Sequence, residues 1–274
     1  MSNRFDQKFG EAFLATVPDG PGVYEWLAPD GSTLYVGKAV SLRRRIAQYR
    51  LAGGRKKVER KRWRLVKEAA SLRFRPCESE LAALLLENEL IQTLRPPHNV
   101  SGVFSFMYPC LGVRRAGKDV DLCCTTSPDQ LPDFEFSGAF RSPALTRAAF
   151  DALVGLLEYV GHREPSKRLT DVPKVDFTRV VRFRQLAPEW SEQLQAWWRG
   201  TSPAFLKALV LELLEQRAAR RHADDTQDQL QLLRRFWEEE CLPLRTAMSQ
   251  VGRGHELFLP QALRDPVFLE AKHR

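Results

Sequence analysis

The chain has 274 residues, of which 43% are hydrophobic and 28% are charged, and its formal net charge is +8. This composition supplies enough apolar side chains for a core and excludes a fibrous or disordered chain. No run of about 18 apolar residues is present, and the first residues lack the apolar stretch of a signal peptide. We therefore expect a cytoplasmic protein with no membrane partner, and the positive charge favours a polyanionic partner.

The first elements along the chain form a predicted β-hairpin. Two β-rich runs, 22–27 and 33–38, flank Pro29-Asp30-Gly31, a sequence that favours a type I turn. If the hairpin closes as a four-residue turn, Tyr24 and Tyr35 lie on the same face. A one-residue bulge at Gly31 would place them on opposite faces. The sequence leaves both registers open.

Helices follow the hairpin in the N-terminal part of the chain. Ser41 is a plausible N-cap of a helix that ends near Tyr49, and Gly53-Gly54 breaks it. A basic helix over 57–69 and a strand over 72–75 come next. Ser79 then caps a predicted helix over 80–94, which Pro96-Pro97 ends.

The rest of the chain is predicted to become progressively more helical. Strands are expected over 103–113 and 120–126, and Ser142-Pro143 begins an apolar helix that ends near Val160. The polar segment 163–176 is the best candidate for a linker. Beyond it we expect a strand over 177–183 and three helices, over 188–199, 203–221 and 226–248.

These elements predict an α+β fold. It consists of a small domain with a short antiparallel sheet flanked by helices, followed by a mostly helical C-terminal region. The predicted divisions are 1–102, 103–176 and 177–274.

Two features of the sequence exclude several kinds of metal site. The five cysteines contain no CxxC pair, and the five histidines form no HExxH motif. We therefore expect buried structural cysteines and neither a zinc site nor an iron–sulfur cluster. Any metal should be a hard cation bound by carboxylate.

The segment 38–67 is a strongly basic window, and its charge suits contact with a phosphate backbone. It contains a single acid, Glu59, and it is interleaved with Tyr49 and Trp63. The alternative is a solvated helix face. The thirteen basic residues of the window are Lys38, Arg43, Arg44, Arg45, Arg50, Arg55, Lys56, Lys57, Arg60, Lys61, Arg62, Arg64 and Lys67.

Glu87 is an unusual carboxylate in an apolar setting. On the predicted helix it projects between Leu84 and Ile91, within an almost continuous apolar surface that also includes Leu81 and Leu94. Burying an ionised carboxylate costs several kcal/mol unless a cation or hydrogen bonds offset it. A divalent metal, a structural ion pair with Lys or Arg, and the mouth of a cleft all remain open.

Several of these residues together resemble the GIY-YIG nuclease family, in particular the N-terminal domain of UvrC and its short homologue Cho. The resemblance covers about residues 18–110 and depends on residue types that agree in both order and spacing. The matching residues are Gly22-Val23-Tyr24, Tyr35-Val36-Gly37, Lys38, Arg45, Tyr49, Glu87 and Asn99, which follows Arg95-Pro96-Pro97-His98.

The resemblance implies a metal-dependent endonuclease that makes a single-strand incision 3′ of a lesion in nucleotide excision repair. Glu87 would be the ligand of a single Mg²⁺ or Mn²⁺. Tyr35 would act as the general base or water-positioning group, with Tyr24 lining the site.

The same resemblance implies roles for the other matching residues. Lys38 and Arg45 would bind the scissile phosphate, Tyr49 would orient the site, and Asn99 would fix the loop beside the metal-bearing helix. Further contacts with DNA are expected from Arg43, Arg44, Arg55, Lys56, Lys57 and Lys61.

The resemblance also implies partners, namely damaged double-stranded DNA and UvrB. The helices over 188–248 occupy the position of the family's UvrB-binding region, and recruitment of UvrB, recruitment of another partner and direct contact with DNA all remain open for them. The segment 163–176 contains no cysteine, whereas many relatives carry a cysteine cluster there, so no iron–sulfur cluster is expected. The alternative function is a DNA-binding or adaptor protein that retains the domain without turnover.

Overall fold

The computed structural model describes residues 4–51, 57–100, 107–184, 186 and 188–272. The chain divides into two compact units, Met1–Phe106 and Met107–Arg274. Each unit combines helices with an antiparallel sheet, which confirms the predicted α+β fold class. None of the helices in these ranges has the length and apolar character needed to cross a membrane.

The first unit contains a three-stranded antiparallel sheet flanked by helices. Its strands are β1 (Gly22–Leu27), β2 (Thr33–Ala39) and β3 (Ser71–Pro76), in the order β2-β1-β3. Its helices are α1 (Arg4–Phe9), α2 (Phe13–Thr16), α3 (Leu42–Arg50), α4 (Lys57–Glu68), α5 (Glu80–Leu94) and α6 (Pro97–Val100).

The predicted caps begin α3 and α5. Ser41 Oγ accepts a hydrogen bond from Arg44 N at 3.3 Å, and Ser79 Oγ accepts one from Ala82 N at 3.1 Å. Each cap satisfies one backbone N–H that a helix N-terminus leaves unpaired. Helix α5 ends at Leu94 because Arg95 adopts a left-handed conformation, with φ of 47°, directly before two prolines.

Strand β1 lies at the centre of this unit and is buried along its whole length. Tyr24 and Trp26 project from one of its faces into a core that includes Phe5, Ile46 and Leu65 from the surrounding helices. Burying side chains of this size contributes about 1.5–3 kcal/mol each. The core thereby fixes the position of the hairpin.

The outer edge of β2 is closed by two side chains. Alternate residues of an antiparallel strand direct their backbone groups away from the neighbouring strand, and Val36 and Lys38 do so here. Val36 N donates to Asn99 Oδ1 at 2.7 Å, and Asn99 Nδ2 donates to Val36 O at 2.8 Å. Lys38 N donates to Glu87 Oε1 at 2.8 Å. Helices α5 and α6 are therefore tied to the edge strand.

The second unit contains a five-stranded antiparallel sheet in the order β6-β4-β5-β8-β7. Residues from both sides of the predicted division at 176 contribute strands to it. The strands are β4 (Cys110–Ala116), β5 (Asp119–Thr125), β6 (Glu135–Ser137), β7 (His162–Arg163) and β8 (Arg179–Arg184).

Helices pack with this sheet around the second core. Ser142 caps the first of them, as predicted. The helices of the second unit are α7 (Pro143–Leu157), α8 (Pro188–Trp198), α9 (Ala204–Glu215), α10 (Arg217–Arg221), α11 (Ala223–Phe236), α12 (Leu242–Gln250) and α13 (Arg264–Lys272).

Some predicted boundaries in the second unit are wrong. The predicted helix 203–221 is two helices separated at Gln216. The predicted helix 226–248 contains a π-helical turn, Trp237–Cys241, between α11 and α12. Pro243 has no backbone N–H to donate to the preceding turn, which accounts for this change of hydrogen-bond register. In the predicted linker 163–176, residues Ser166–Arg168 form a 3-10 turn.

Asn99→Ala should destabilise the first unit by about 1–3 kcal/mol, because the buried Val36 N–H and C=O would both lose their partner. Hydrogen exchange at the Val36 amide and the denaturant unfolding of the unit measure this effect. Thr93→Ala, at an exposed position on α5, is the control and should change neither quantity. Unchanged protection of the Val36 amide in Asn99→Ala would contradict the role of Asn99.

Candidate active site

The hairpin contains the irregularity at Gly31, which is one of the two alternatives that the sequence leaves open. Gly31 N donates to Ala28 O at 3.0 Å, which closes the four-residue turn, and Ala28 N donates to Ser32 O at 2.8 Å beyond it. Gly31 has a φ of 83°, a conformation that favours glycine. This one-residue shift alone would place the two tyrosines on opposite faces.

A second irregularity restores the shared face. Leu27 lies opposite Thr33, whereas Trp26 lies opposite Tyr35, so Leu34 is an extra residue in β2. Tyr24 and Tyr35 therefore lie on the same face, with ring centroids 6.1 Å apart.

Gly37 allows the two tyrosine rings to pack against β2. A Cβ at this position would lie 2.5 Å from Cζ and from the hydroxyl oxygen of Tyr24, and 2.9 Å from Cε1 of Tyr35. Both separations are shorter than van der Waals contact, so any larger residue would displace a ring. Glycine at this position is therefore a steric requirement of the tyrosine pair.

Tyr24 lies at the centre of a buried hydrogen-bond network. Its hydroxyl oxygen accepts a hydrogen bond from Arg45 Nε at 3.0 Å and lies 3.0 Å from the hydroxyl of Tyr49. Burial raises the pKa of Tyr24, Tyr49 raises it further, and Arg45 opposes the increase. Burial also raises the pKa of Tyr49, to about 12. Both phenols are therefore protonated at neutral pH and act as hydrogen-bonding groups.

Tyr35 is half-buried and lines a cleft of about 640 Å³. Burial raises its pKa, and the neighbouring Tyr24 and Glu87 act in the same direction, whereas Arg45 lowers it. Lys61 Nζ lies 5.1 Å from the centroid of the Tyr35 ring. A cation in this position interacts favourably with the ring and with any negative charge on the phenol.

Glu87 lines the same cleft from α5. One of its oxygens accepts the hydrogen bond from Lys38 N, which in the described part of the chain is its one hydrogen-bond partner. Burial raises the pKa of this carboxyl group, while the hydrogen bond and the charges of Lys38 and Arg45 oppose the increase. The second oxygen is available to a ligand in the cleft.

The surroundings of Glu87 differ from the sequence-based prediction. Leu81, Leu84 and Leu94, which were predicted to form one apolar surface with it, are 52%, 44% and 44% exposed. That surface is therefore only partly covered, and Glu87 lies at its border with the cleft. Glu87 therefore lies at a cleft, which is one of the three alternatives, and its role as a metal ligand stays a prediction.

The cleft brings together Tyr35, Lys38, Arg45 and Glu87 of the predicted catalytic set. Asn99 is not among the lining residues, and it pairs with the backbone of Val36 in β2. Residues that were not predicted to be catalytic or to bind DNA also line the cleft. They are Gly37, Ala39, Val40, Ser41, Gln48, Glu80, Ala83 and Leu84.

The residues predicted to bind DNA are distributed unevenly. Arg44 is exposed and lines the cleft. Arg43 instead donates to Val17 O at 3.1 Å and lies 3.7 Å from Asp19. Lys61 contacts the ring of Tyr35.

The other three residues predicted to bind DNA are Arg55, Lys56 and Lys57. Arg55 and Lys56 lie outside the described residues, and the description of Lys57 is confined to its backbone at the start of α4.

The donor set fits a hard cation. Within the described residues, no three His, Cys, Asp or Glu side chains converge, and the carboxylates that line the cleft are Glu80 and Glu87. Mg²⁺ is commonly bound by one or two carboxylates, with water and phosphate completing its coordination.

Gly37→Ala should destabilise the first unit by about 1–3 kcal/mol, because the added methyl group overlaps the buried Tyr24 ring. The loss of Tyr24 packing should also change the near-ultraviolet circular dichroism. A variant with unchanged unfolding and an unchanged tyrosine signal would show that the rings do not require glycine here.

Comparison with known proteins connects this geometry to a family. Residues 20–100 match the family described as the UvrC-like GIY-YIG domain. UvrABC system protein C of Rhizobium meliloti (strain 1021) is 47% identical over 90 residues, which are 33% of this chain and 13% of that protein. The corresponding protein of Porphyromonas gingivalis (strain ATCC BAA-308 / W83) is 38% identical over 102 residues, which are 37% of this chain and 16% of that protein.

A solved structure also matches this part of the chain. It is the GIY-YIG N-terminal endonuclease domain of UvrC from Thermotoga maritima, bound to magnesium. The match has 30% identity and a TM-score of 0.29, and it covers 36% of this chain and all of that one. On the family match and the two sequence relatives, residues 20–100 form a UvrC-like GIY-YIG domain.

Proposed function

We propose that the chain is a metal-dependent DNA endonuclease of the UvrC and Cho type, which makes a single-strand incision 3′ of a lesion in nucleotide excision repair. The observation that carries the proposal is the convergence of Tyr35, Lys38, Arg45 and Glu87 on one cleft. Phosphodiester hydrolysis needs a deprotonated water, charge stabilisation on the phosphate and assistance to the leaving oxygen. The cleft contains candidate groups for the first two requirements, and a cation held by Glu87 would supply the third.

Lys38 and Arg45 bind the scissile phosphate in the proposed mechanism, with Arg44 beside them. The Lys38 side chain is exposed, so its ammonium group is accessible to substrate. Arg45 is held by Tyr24 through its Nε and by Gln48 Oε1, 3.1 Å from a terminal guanidinium nitrogen. A preorganised cation stabilises developing charge without reorganising at the moment of reaction.

Glu87 is the residue proposed to hold a single Mg²⁺ or Mn²⁺. Its free oxygen and the absence of soft ligands from the cleft lining support a hard cation. When bound, such a cation polarises the phosphate and lowers the pKa of a bound water. Tyr35 would position the attacking water through its hydroxyl group, or would accept the proton of that water as a phenolate, which Arg45 and Lys61 would help to stabilise.

Tyr24, Tyr49 and Asn99 are positioning residues in this proposal. Tyr24 and Tyr49 keep the Arg45 guanidinium in place, and Asn99 holds the strand from which Tyr35 and Lys38 project. Arg43, Arg55, Lys56, Lys57 and Lys61 are proposed to contact the DNA backbone.

The proposed setting is cytoplasmic, with damaged double-stranded DNA and UvrB as partners. The named relatives are components of the UvrABC system, and the matched segments are 13% and 16% of their lengths. We propose no iron–sulfur cluster, because the five cysteines contain no CxxC pair. The divisions 1–102, 103–176 and 177–274 stay a prediction, and the boundary of the compact units instead lies between Phe106 and Met107, with strands from both sides of residue 176 in one sheet.

Glu87→Gln should reduce metal-dependent nicking of lesion-containing duplex by about two orders of magnitude or more, because the cation loses its carboxylate ligand. A nicking assay with and without UvrB and divalent cation measures this. The control is Glu89→Gln, an exposed position on the same helix outside the cleft lining. Full activity of Glu87→Gln would exclude Glu87 as the ligand, whereas the absence of nicking by the native chain would favour the non-catalytic alternative.

The same variant has a stability readout that does not depend on activity. Burial raises the pKa of the Glu87 carboxyl group in the folded chain. The stability that the neutral carboxyl group contributes is fully present below its pKa in the unfolded chain, and it is lost as the pH rises through the raised pKa of the folded chain. Without divalent cation, Glu87→Gln should therefore be at least as stable as the native chain at pH 7–8. Any gain in the free energy of unfolding of Glu87→Gln over the native chain should disappear below about pH 4.3, which is the pKa of a glutamate in an unfolded chain.

Tyr35→Phe should lower turnover by about 10²–10⁴-fold, while the affinity for DNA changes little, because only the hydroxyl group is removed. Single-turnover nicking and equilibrium binding measure the two effects separately. Tyr159→Phe, in the second unit, is the control. A loss of affinity equal to the loss of rate would assign Tyr35 to uniform substrate binding instead.

A further inference from the structure

Two apolar side chains lie exposed in the lining of the active-site cleft. Val40 is 62% exposed in the connection between β2 and α3, and Leu84 is 44% exposed on α5. Both line the cleft together with the groups proposed to bind phosphate and metal. The catalytic mechanism uses neither side chain.

Leu84 is placed in the cleft by the helical repeat. It lies three residues before Glu87 and four after Glu80, so the three side chains form one stripe along α5. All three line the cleft, whereas Leu81, on the same helix and 52% exposed, does not. The feature that distinguishes Leu84 is therefore its position in the cleft rather than its exposure.

The charges around the cleft indicate how a nucleotide would be oriented in it. Lys38, Arg44 and Arg45 supply positive charge from β2 and α3, whereas the α5 stripe contributes Glu80 and Glu87. A phosphate backbone is attracted to the basic side and repelled by Glu80. The uncharged sugar and base would then face the α5 side, where Leu84 lies between two carboxylates.

An apolar contact at this point can be made by the face of a base. In intact duplex the base faces are covered by stacking, so they become available only where a base is unpaired or displaced. Proteins that kink or open DNA commonly insert apolar side chains between such bases. The volume of about 640 Å³ lies within the range of roughly 300–1,000 Å³ typical of small-molecule sites.

We propose that Val40 and Leu84 contact the unstacked base of the nucleotide next to the scissile phosphate, so that the cleft selects locally unpaired DNA over intact duplex. The proposal rests on the proposed nuclease function for the orientation of the substrate. It assigns substrate selectivity to side chains that take no part in the chemical step.

The test compares binding to two DNAs without divalent cation, so that no turnover is required. One is a fully matched duplex, and the other has the same length and a short central mismatched bubble. The native chain should bind the bubble about tenfold more tightly, the order expected for covering one or two apolar side chains. Val40→Ser combined with Leu84→Ser should bring this ratio close to one, with little change in affinity for the matched duplex.

Leu81→Ser is the matched control, because it removes an equally exposed leucine of α5 outside the cleft. It should retain the native ratio, and circular dichroism should show that both variants are folded. The inference is overturned if the native chain has no preference, if the double variant keeps the native ratio, or if its affinity falls equally for both DNAs.

A parallel nicking assay on the bubble DNA with Mg²⁺ separates this inference from the proposed function. Nicking together with an unchanged binding ratio in the double variant would overturn the inference alone. A ratio that falls as expected, without nicking by the native chain under any condition, would overturn the nuclease function while supporting base contact by Val40 and Leu84.

Discussion

The outer edge of β2 is the constraint on which the candidate site depends. An edge strand presents unpaired N–H and C=O groups that need partners when the edge is covered. Asn99 pairs with both groups of Val36, and Glu87 pairs with the N–H of Lys38. These bonds bring α5 to the strand that carries Tyr35 and Lys38. The carboxylate proposed to bind metal is thus held in place by a backbone hydrogen bond of the fold.

Nearby cations oppose the increase in pKa that burial causes in the tyrosines of the site. Burial raises the pKa values of Tyr24, Tyr35 and Tyr49, which makes proton loss by any of them costly. Arg45 opposes this effect at all three hydroxyl groups, and Lys61 lies against the ring of Tyr35. A proton-accepting role for Tyr35 therefore depends on nearby positive charge. Helix α4, which carries Lys61, therefore contributes positive charge to the candidate site as well as residues to the basic window.

Local sequence signals predicted the local structure well. Ser79 and the proline pair defined α5, because a cap and a chain break act within a few residues of themselves. The face shared by Tyr24 and Tyr35 was not predictable, because the irregularities at Gly31 and Leu34 cancel and only the first has a turn signal. The contact of Lys61 with Tyr35 was also missed, since it depends on how α4 packs against the sheet rather than on sequence spacing.

Glu87 differs in its hydrogen-bond partner from two fully buried carboxylates of the chain. The fully buried Glu25 lies 2.9 Å from Arg75 Nε, and the fully buried Asp121 accepts a hydrogen bond from Arg182 Nε at 2.6 Å. Both carboxylates have arginine partners within the fold, which offsets their desolvation. In the described residues, Glu87 has a backbone N–H instead, and burial raises its pKa. A divalent cation with a bound phosphate would supply the charge compensation that arginine supplies to the other two.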